Sequence, residues 1–111
     1  AASDVYKRQL MKRVLTNLIT NAIQAMPKGG ALSITTSLRE GSVSIDVEDT
    51  GVGIPEENLG SVFQPLFTTK SRGQGLGLPV CQRLVQALGG NITVKSEVRV
   101  GTTFTVNLPL K

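Results

Sequence analysis

The sequence contains no histidine. Any reaction that needs an imidazole, as base, metal ligand or phosphoacceptor, must therefore take it from another chain or another segment. There is one cysteine, Cys81, and it sits in an apolar helical pattern. An intramolecular disulfide and a thiolate zinc cluster are both excluded. Aromatic residues make up only 4% of the chain and tryptophan is absent, so the core must be aliphatic. No stretch approaches the roughly 18 apolar residues of a membrane span, and there is no signal-peptide pattern. Nor is there a strong charge block. The 12 basic and 8 acidic residues leave a net charge of +4, which admits a polyanionic partner. The bases are scattered, however, apart from Lys7, Arg8, Lys12 and Arg13, and no nucleic-acid partner is expected. A length of 111 residues, 40% of them apolar, fits one domain.

What is present reads as alternating helices and strands. From about residue 5 to Met26, Met11, Leu15, Leu18, Ala22 and Met26 recur at helical spacing with Ile19 and Ile23 beside them. Arg13, Asn17, Thr20, Asn21 and Gln24 fall into one arc opposite. Pro27 and Gly29-Gly30 stop the helix. Two alternating runs follow: Leu32, Ile34, Thr36 and Leu38 share one side, "EGS" turns, and Val43, Ile45 and Val47 share one side of the return strand. Asp49 continues that odd-numbered set, so a regular strand points its carboxylate to the buried side. "TGVGIPEEN" predicts a glycine turn and a short helical start at Pro55, with Glu56 and Glu57 in its first turn. Residues 60 to 75 lack periodicity and read as a long loop of the kind that either serves as a lid or is disordered. "LGLPVCQRLVQALGG" predicts a second helix with a stripe of Val80, Cys81, Leu84, Val85 and Leu88. Two strands close the chain, and in the last Phe104, Val106 and Leu108 face inward with Thr102 at the same parity. The order predicts an α+β domain, helices packed on one face of a largely antiparallel sheet.

Three features carry candidate chemistry. The amide-rich arc around Asn17 and Asn21 is either a solvated helix face or a groove for an oxygen-seeking cation or a phosphate; magnesium needs only one or two protein oxygens. Asp49 is either a cap for the amides of the following glycine turn or an acceptor for an exocyclic amine such as adenine N6. "GQGLGL", residues 73 to 78, places Gly73, Gly75 and Gly77 just before a helix. That suits phosphate held by backbone amides at a helix start, or a flexible loop end with a glycine-mediated helix contact. It is neither a Walker A loop nor a dinucleotide fingerprint. Lys70 and Arg72, just upstream, either neutralise phosphate or stand in solvent.

In order along the chain, "NLITNAIQAM", "DTGVGIP", "FQPLFTTK", "GQGLGL" and "GTTF" resemble the N box, first glycine box, F box, second glycine box and last glycine box of the GHKL ATPase family. Within it they resemble the catalytic ATP-binding (HATPase_c) domain of bacterial-type sensor histidine kinases, in a form similar to the nitrogen-regulator-like group. The resemblance spans residues 10–111; residues 1–9 carry none and are expected to be a leader or a fragment boundary. It implies a two-layer α/β sandwich with a mixed, largely antiparallel sheet, and ATP and Mg2+ as cofactors. It further implies that Asn21 coordinates magnesium and that Asn17 helps hold the phosphates or the ion's shell. Asp49 would bind adenine, with Gly51 and Gly53 shaping the pocket and Thr102 supporting the contact. Lys70 would reach the terminal phosphate, with Arg72 close by. Gly73, Gly75 and Gly77 would supply amides to the phosphate chain while Leu76 and Leu78 close the pocket.

The resemblance also implies partners: a phosphoacceptor histidine on a dimerisation helical domain, a response regulator downstream, and no membrane contact by this domain, the cytoplasmic portion of a sensor kinase. In hydrolysing relatives a Glu one turn before the magnesium Asn activates water; here that position is Asn17, which cannot act as a general base. Transfer to an external histidine is thus the expected reaction. The alternative is a non-catalytic module of the same family that acts by conformational change or partner contact. The chain departs from the usual pattern at Gln64, where Glu is common, at Gln74, where Thr or Ser is common, and at Arg99, where a glycine is common in the final turn.

Overall fold

The computed structural model describes residues 2–64 and 77–109, with side chains from Asp4 onward. The elements are α1 (Ala2–Gln24), β1 (Leu32–Arg39), β2 (Ser42–Asp49), α2 (Glu56–Leu59), α3 (Gly77–Ala87), β3 (Asn91–Glu97) and β4 (Gly101–Pro109). The strands form one sheet in the order β1-β2-β4-β3. The expected α+β architecture holds. Among the described residues, however, the sheet is antiparallel throughout rather than mixed. β1–β2 and β3–β4 are hairpins, and the α2–α3 crossover returns the chain so that β4 runs against β2.

α1 begins earlier than its apolar pattern suggested. Val5 and Tyr6 are exposed, and from Asp4 to Gln9 every described side chain is exposed, which leaves no stripe to read. Asp4 lies in that first turn, where a negative charge complements the helix dipole. The helix closes at Gln24, where the Ala25 amide is shared between the Asn21 and Ala22 carbonyls and the Met26 amide reaches back three residues to Ile23. That tightened end fits the steric bar Pro27 places on a helical Met26. α3 packs on α1, α1 also touches β2, and α3 also touches β3.

The core lies between these helices and the sheet. Val14, Leu18 and Ala22 from α1 meet Cys81 and Val85 from α3 over Val47, Phe104, Val106 and Ile92. Each fully buried Val, Leu, Ile or Phe among them contributes roughly 1.5–3 kcal/mol. The axis of the α1 face is therefore Val14–Leu18–Ala22, while Ile23, expected beside the stripe, is exposed. Phe63 packs edge-on against Phe104, with ring centroids 6.1 Å apart. That contact ties the segment following α2 to the sheet. The helices cover β2, β4 and β3 but stop short of β1, whose every residue is exposed, including Leu32, Ile34 and Leu38.

Candidate functional site

The pairing register turns the helix-covered face of the sheet into rows. Thr36–Ile45–Val106–Ile92 and Ile34–Val47–Phe104–Val94 are largely apolar. One row further, at the C-terminal end of β2, the same face reads Leu32–Asp49–Thr102–Ser96. Asp49 and Thr102 are each only 4% exposed and are the buried polar residues among those described. The alternation therefore placed both side chains correctly.

Buried polar atoms need partners, and this row has them. The Gly51 amide donates to Asp49 Oδ1 at 2.8 Å, so the carboxylate does cap the glycine turn through one oxygen. Thr102 Oγ1 lies 2.7 Å from Ser96 Oγ. The Ile54 amide donates to Ser96 Oγ at 2.7 Å, and Ser96 Oγ donates to the Gly101 carbonyl at 3.0 Å. A depression of about 340 Å³ opens at this end of the sheet, lined by Asp49, Thr50, Ser96 and Thr102 along with Glu48 and Lys95.

The glycine turn after Asp49 is wedged between two other elements. A Cβ on Gly51 would lie 2.3 Å from the Ala25 carbonyl, at the end of α1, and the Val52 amide donates to that same carbonyl at 3.0 Å. On the other side Gly53 has φ +78, and its Cβ would lie 2.3 Å from the Glu97 carbonyl. The Arg99 amide donates to the Val52 carbonyl at 2.9 Å. The two glycines thus let the loop fit between α1 and the β3–β4 turn. Arg99 itself holds φ 70, so the turn expected to contain glycine keeps glycine's conformation with an arginine in it.

The amide arc of α1 divides. Asn17 and Asn21 are half-buried, whereas Arg13, Thr20 and Gln24 are exposed. A Cβ on Gly77 would lie 3.8 Å from Asn17 Cβ and Cγ, so Asn17 stands against the first residue of α3. It also faces Cys81. Burial pushes that thiol up to about 11, partly offset by a hydrogen bond from Asn17 and the charge of Arg13. The thiol donates weakly to the Val14 carbonyl at 3.7 Å. Leu78 is buried within the core. Lys70, Arg72, Gly73, Gly75 and Leu76, together with Gln74, lie outside the described residues.

Among the described residues no three His, Cys, Asp or Glu side chains gather as a metal cage. The donors on α1 are neutral amide oxygens. This set fits magnesium arriving with phosphate, which takes one or two protein oxygens and leaves the remaining positions to water and phosphate. Ser96 belongs to the same row as Thr102, and no motif in the sequence marks it. Its parity with Ile92 and Val94 was the available signal, since a hydroxyl on the inward side of a strand must find partners. Gly101 opens the "GTTF" box without an assigned role, and its Cβ would lie 2.0 Å from the Asp49 carbonyl.

The fold and the sequence have known relatives. The family described as "Histidine kinase-, DNA gyrase B-, and HSP90-like ATPase" matches residues 6–111. Sporulation kinase C of Bacillus subtilis is 43% identical over 91% of this chain and 24% of its own length. Sensor histidine kinase ZraS of Escherichia coli K12 is 45% identical over 90% of this chain and 22% of its own. The chain thus spans about a quarter of these relatives. The nucleotide-free catalytic domain of histidine kinase ThkA superposes with a TM-score of 0.82 at 37% identity, over 92% of this chain and 67% of that one. Full-length ShkA in complex with AMPPNP gives 0.80 at 30% identity, over 90% of this chain and 21% of that one. Among the described residues no helix is long and apolar enough to cross a membrane.

Proposed function

Because the chain belongs to the histidine kinase-, DNA gyrase B- and HSP90-like ATPase family, we propose that it is the Mg-ATP-binding half of a sensor histidine kinase. Its γ-phosphoryl group goes to a histidine on a separate dimerisation helical domain and from there to a response regulator. The observation that carries this reading is the buried Asp49–Thr102 pair at the end of an apolar sheet face, pinned by the glycine turn. It offers hydrogen-bond acceptors beside apolar surface, the chemistry that a base with an exocyclic amine requires.

In this reading Asp49 accepts from the adenine amino group, Thr102 supports that contact, and Gly51 and Gly53 fix the loop beside it. Asn21 gives its side-chain oxygen to magnesium, and Asn17 stays over the start of α3, where phosphate meets the helix N-terminus. Magnesium, when bound, neutralises phosphate charge. Lys70 reaches the terminal phosphate with Arg72 beside it, Gly73, Gly75 and Gly77 supply amides to the phosphate chain, and Leu76 and Leu78 close the pocket. The amide of Asn17 takes no proton from water, so the domain holds ATP for transfer. Without a histidine in the sequence, the acceptor comes from elsewhere. A cytoplasmic placement follows from the same reading, where ATP and a response regulator are both at hand.

Calorimetric titration of ADP, with and without magnesium, tests it. Asp49→Asn is expected to weaken binding roughly 10-fold or more under both conditions, the loss of a charge-assisted hydrogen bond. Asn21→Ala should abolish the magnesium dependence and leave magnesium-free binding in place. An unaltered chain that binds no ADP overturns the proposal. Failure of the ATP-loaded chain to label a supplied histidine-bearing dimerisation domain overturns its transfer half.

A further inference from the structure

Ser96 stands across from Thr102 on β3, and its hydroxyl oxygen has three neighbours at hydrogen-bond distance. They are the Ile54 amide at 2.7 Å, the Gly101 carbonyl at 3.0 Å and Thr102 Oγ1 at 2.7 Å. A serine hydroxyl has one proton and two acceptor lone pairs. The Ile54 amide can only donate, and the Gly101 carbonyl can only accept. All three contacts are hydrogen bonds under a single assignment: Ser96 accepts from Ile54 N–H and from Thr102 O–H, and donates to Gly101. The Thr102 proton therefore points at Ser96, away from any ligand. Its oxygen keeps lone pairs and no free proton. Beside it stands the Asp49 carboxylate, whose Oδ1 already accepts from Gly51. The pair presents acceptors and no donor.

We infer that Ser96 is a positioning residue that locks Thr102 as a hydrogen-bond acceptor, so that the site selects a purine with a 6-amino group over one with a 6-oxo group. The inference rests on the proposed nucleotide site and deepens it by assigning the origin of base selectivity. A 6-amino group brings protons to two acceptors. A 6-oxo group brings lone pairs to lone pairs, and a site built to receive an N–H donor rejects an analogue that lacks it. Removing the Ser96 hydroxyl frees the Thr102 proton to rotate toward the ligand, where it can serve an oxo group. It also leaves the Ile54 amide without its acceptor, which a purely structural serine would register equally for every nucleotide.

The discriminating quantity is therefore a ratio. ADP and IDP, which differ at purine position 6, are titrated into the unaltered chain, Ser96→Ala, Ser96→Thr and Thr102→Val. The unaltered chain should prefer ADP by roughly 10-fold or more, the worth of one mismatched hydrogen bond. Ser96→Ala should shrink that preference several-fold, mostly through a gain for IDP relative to ADP. Ser96→Thr, which retains the hydroxyl, should restore it. A Ser96→Ala chain that weakens ADP and IDP by the same factor overturns the inference. Should Ser96→Ala fail to fold, Thr102→Val decides: a selective loss of ADP supports the inference, and equal loss of both nucleotides overturns it. If the unaltered chain binds no ADP, the nucleotide reading itself falls. If it binds ADP and the ratio never moves, only the role of Ser96 falls.

Discussion

Replacing Gly53 by alanine should damage the domain far more than a methyl group suggests. Gly53 sits at φ +78, and its added Cβ would meet the Glu97 carbonyl oxygen at 2.3 Å and Val98 Cα at 2.7 Å. Both are backbone atoms that cannot swing aside. The left-handed conformation alone costs a non-glycine residue about 1–2 kcal/mol. Relieving the overlap means moving the loop, and hydrogen bonds flank Gly53 on either side, Arg99 N–H to Val52 at 2.9 Å and Ile54 N–H to Ser96 at 2.7 Å. Losing both costs about 0.5–1.5 kcal/mol each, so the total is roughly 2–5 kcal/mol. Typical domains have only about 5–15 kcal/mol in all. Gly41 supplies the control. It has φ +70, yet nothing lies within 4 Å of its Cβ position, so Gly41→Ala should carry only the backbone cost of about 1–2 kcal/mol. Thermal unfolding at roughly 4–8 °C per kcal/mol resolves the two. Equal melting points for Gly41→Ala and Gly53→Ala would refute the claim that the glycine turn is clamped against the β3–β4 turn.

Arg99→Gly should stabilise: it removes the left-handed cost at φ 70 and returns about half of it as unfolded-chain entropy. The expected gain is roughly 0.5–1 kcal/mol, and a lower urea midpoint would contradict it. The Cys81 thiol, pushed up to about 11 by burial, gives a pH signature. The unfolded thiol ionises first, so protons leave the unfolded chain preferentially, and stability falls as pH rises from about 9 toward 11. The loss should reach roughly 2–3 kcal/mol, with a correspondingly shallower slope in Cys81→Ala. A native thiol that alkylates at pH 8 as fast as the unfolded one would sink this account.

Asp49 and Thr102 are legible in the sequence because strand alternation is a local rule with a period of two, and both are buried where parity puts them. The same rule grouped Leu32, Ile34 and Leu38 on one side of β1, yet all three are exposed. Parity tells which face a residue occupies; it does not tell how far the helical layer extends over that face. The α1 stripe was legible as a helix, but its axis was displaced, since Val14 is fully buried while Ile23 is 57% exposed. Helical spacing leaves the rotation of the helix open, and packing of α3 on α1 decides it. Ser96 was missed because its partners lie 42 residues away at Ile54 and 6 away at Thr102. A hydroxyl's role depends on who surrounds it, which no local pattern records. Asn17 and Asn21 were grouped with Thr20 and Gln24 by angle alone, and burial separates them.

The sheet is also polarised along its length. The Asp49 row lies at one end of β2, and the β1–β2 turn at Gly41 lies at the other, a strand of 8 residues away, or roughly 25 Å. That turn is exposed and uncrowded. An epitope, a fluorophore or an inserted peptide placed there would report on the domain from outside its chemistry. The same insertion after Asp49 would have to pass between two backbones already in contact. One hairpin thus offers a tolerant handle at its tip and a fixed end at its base.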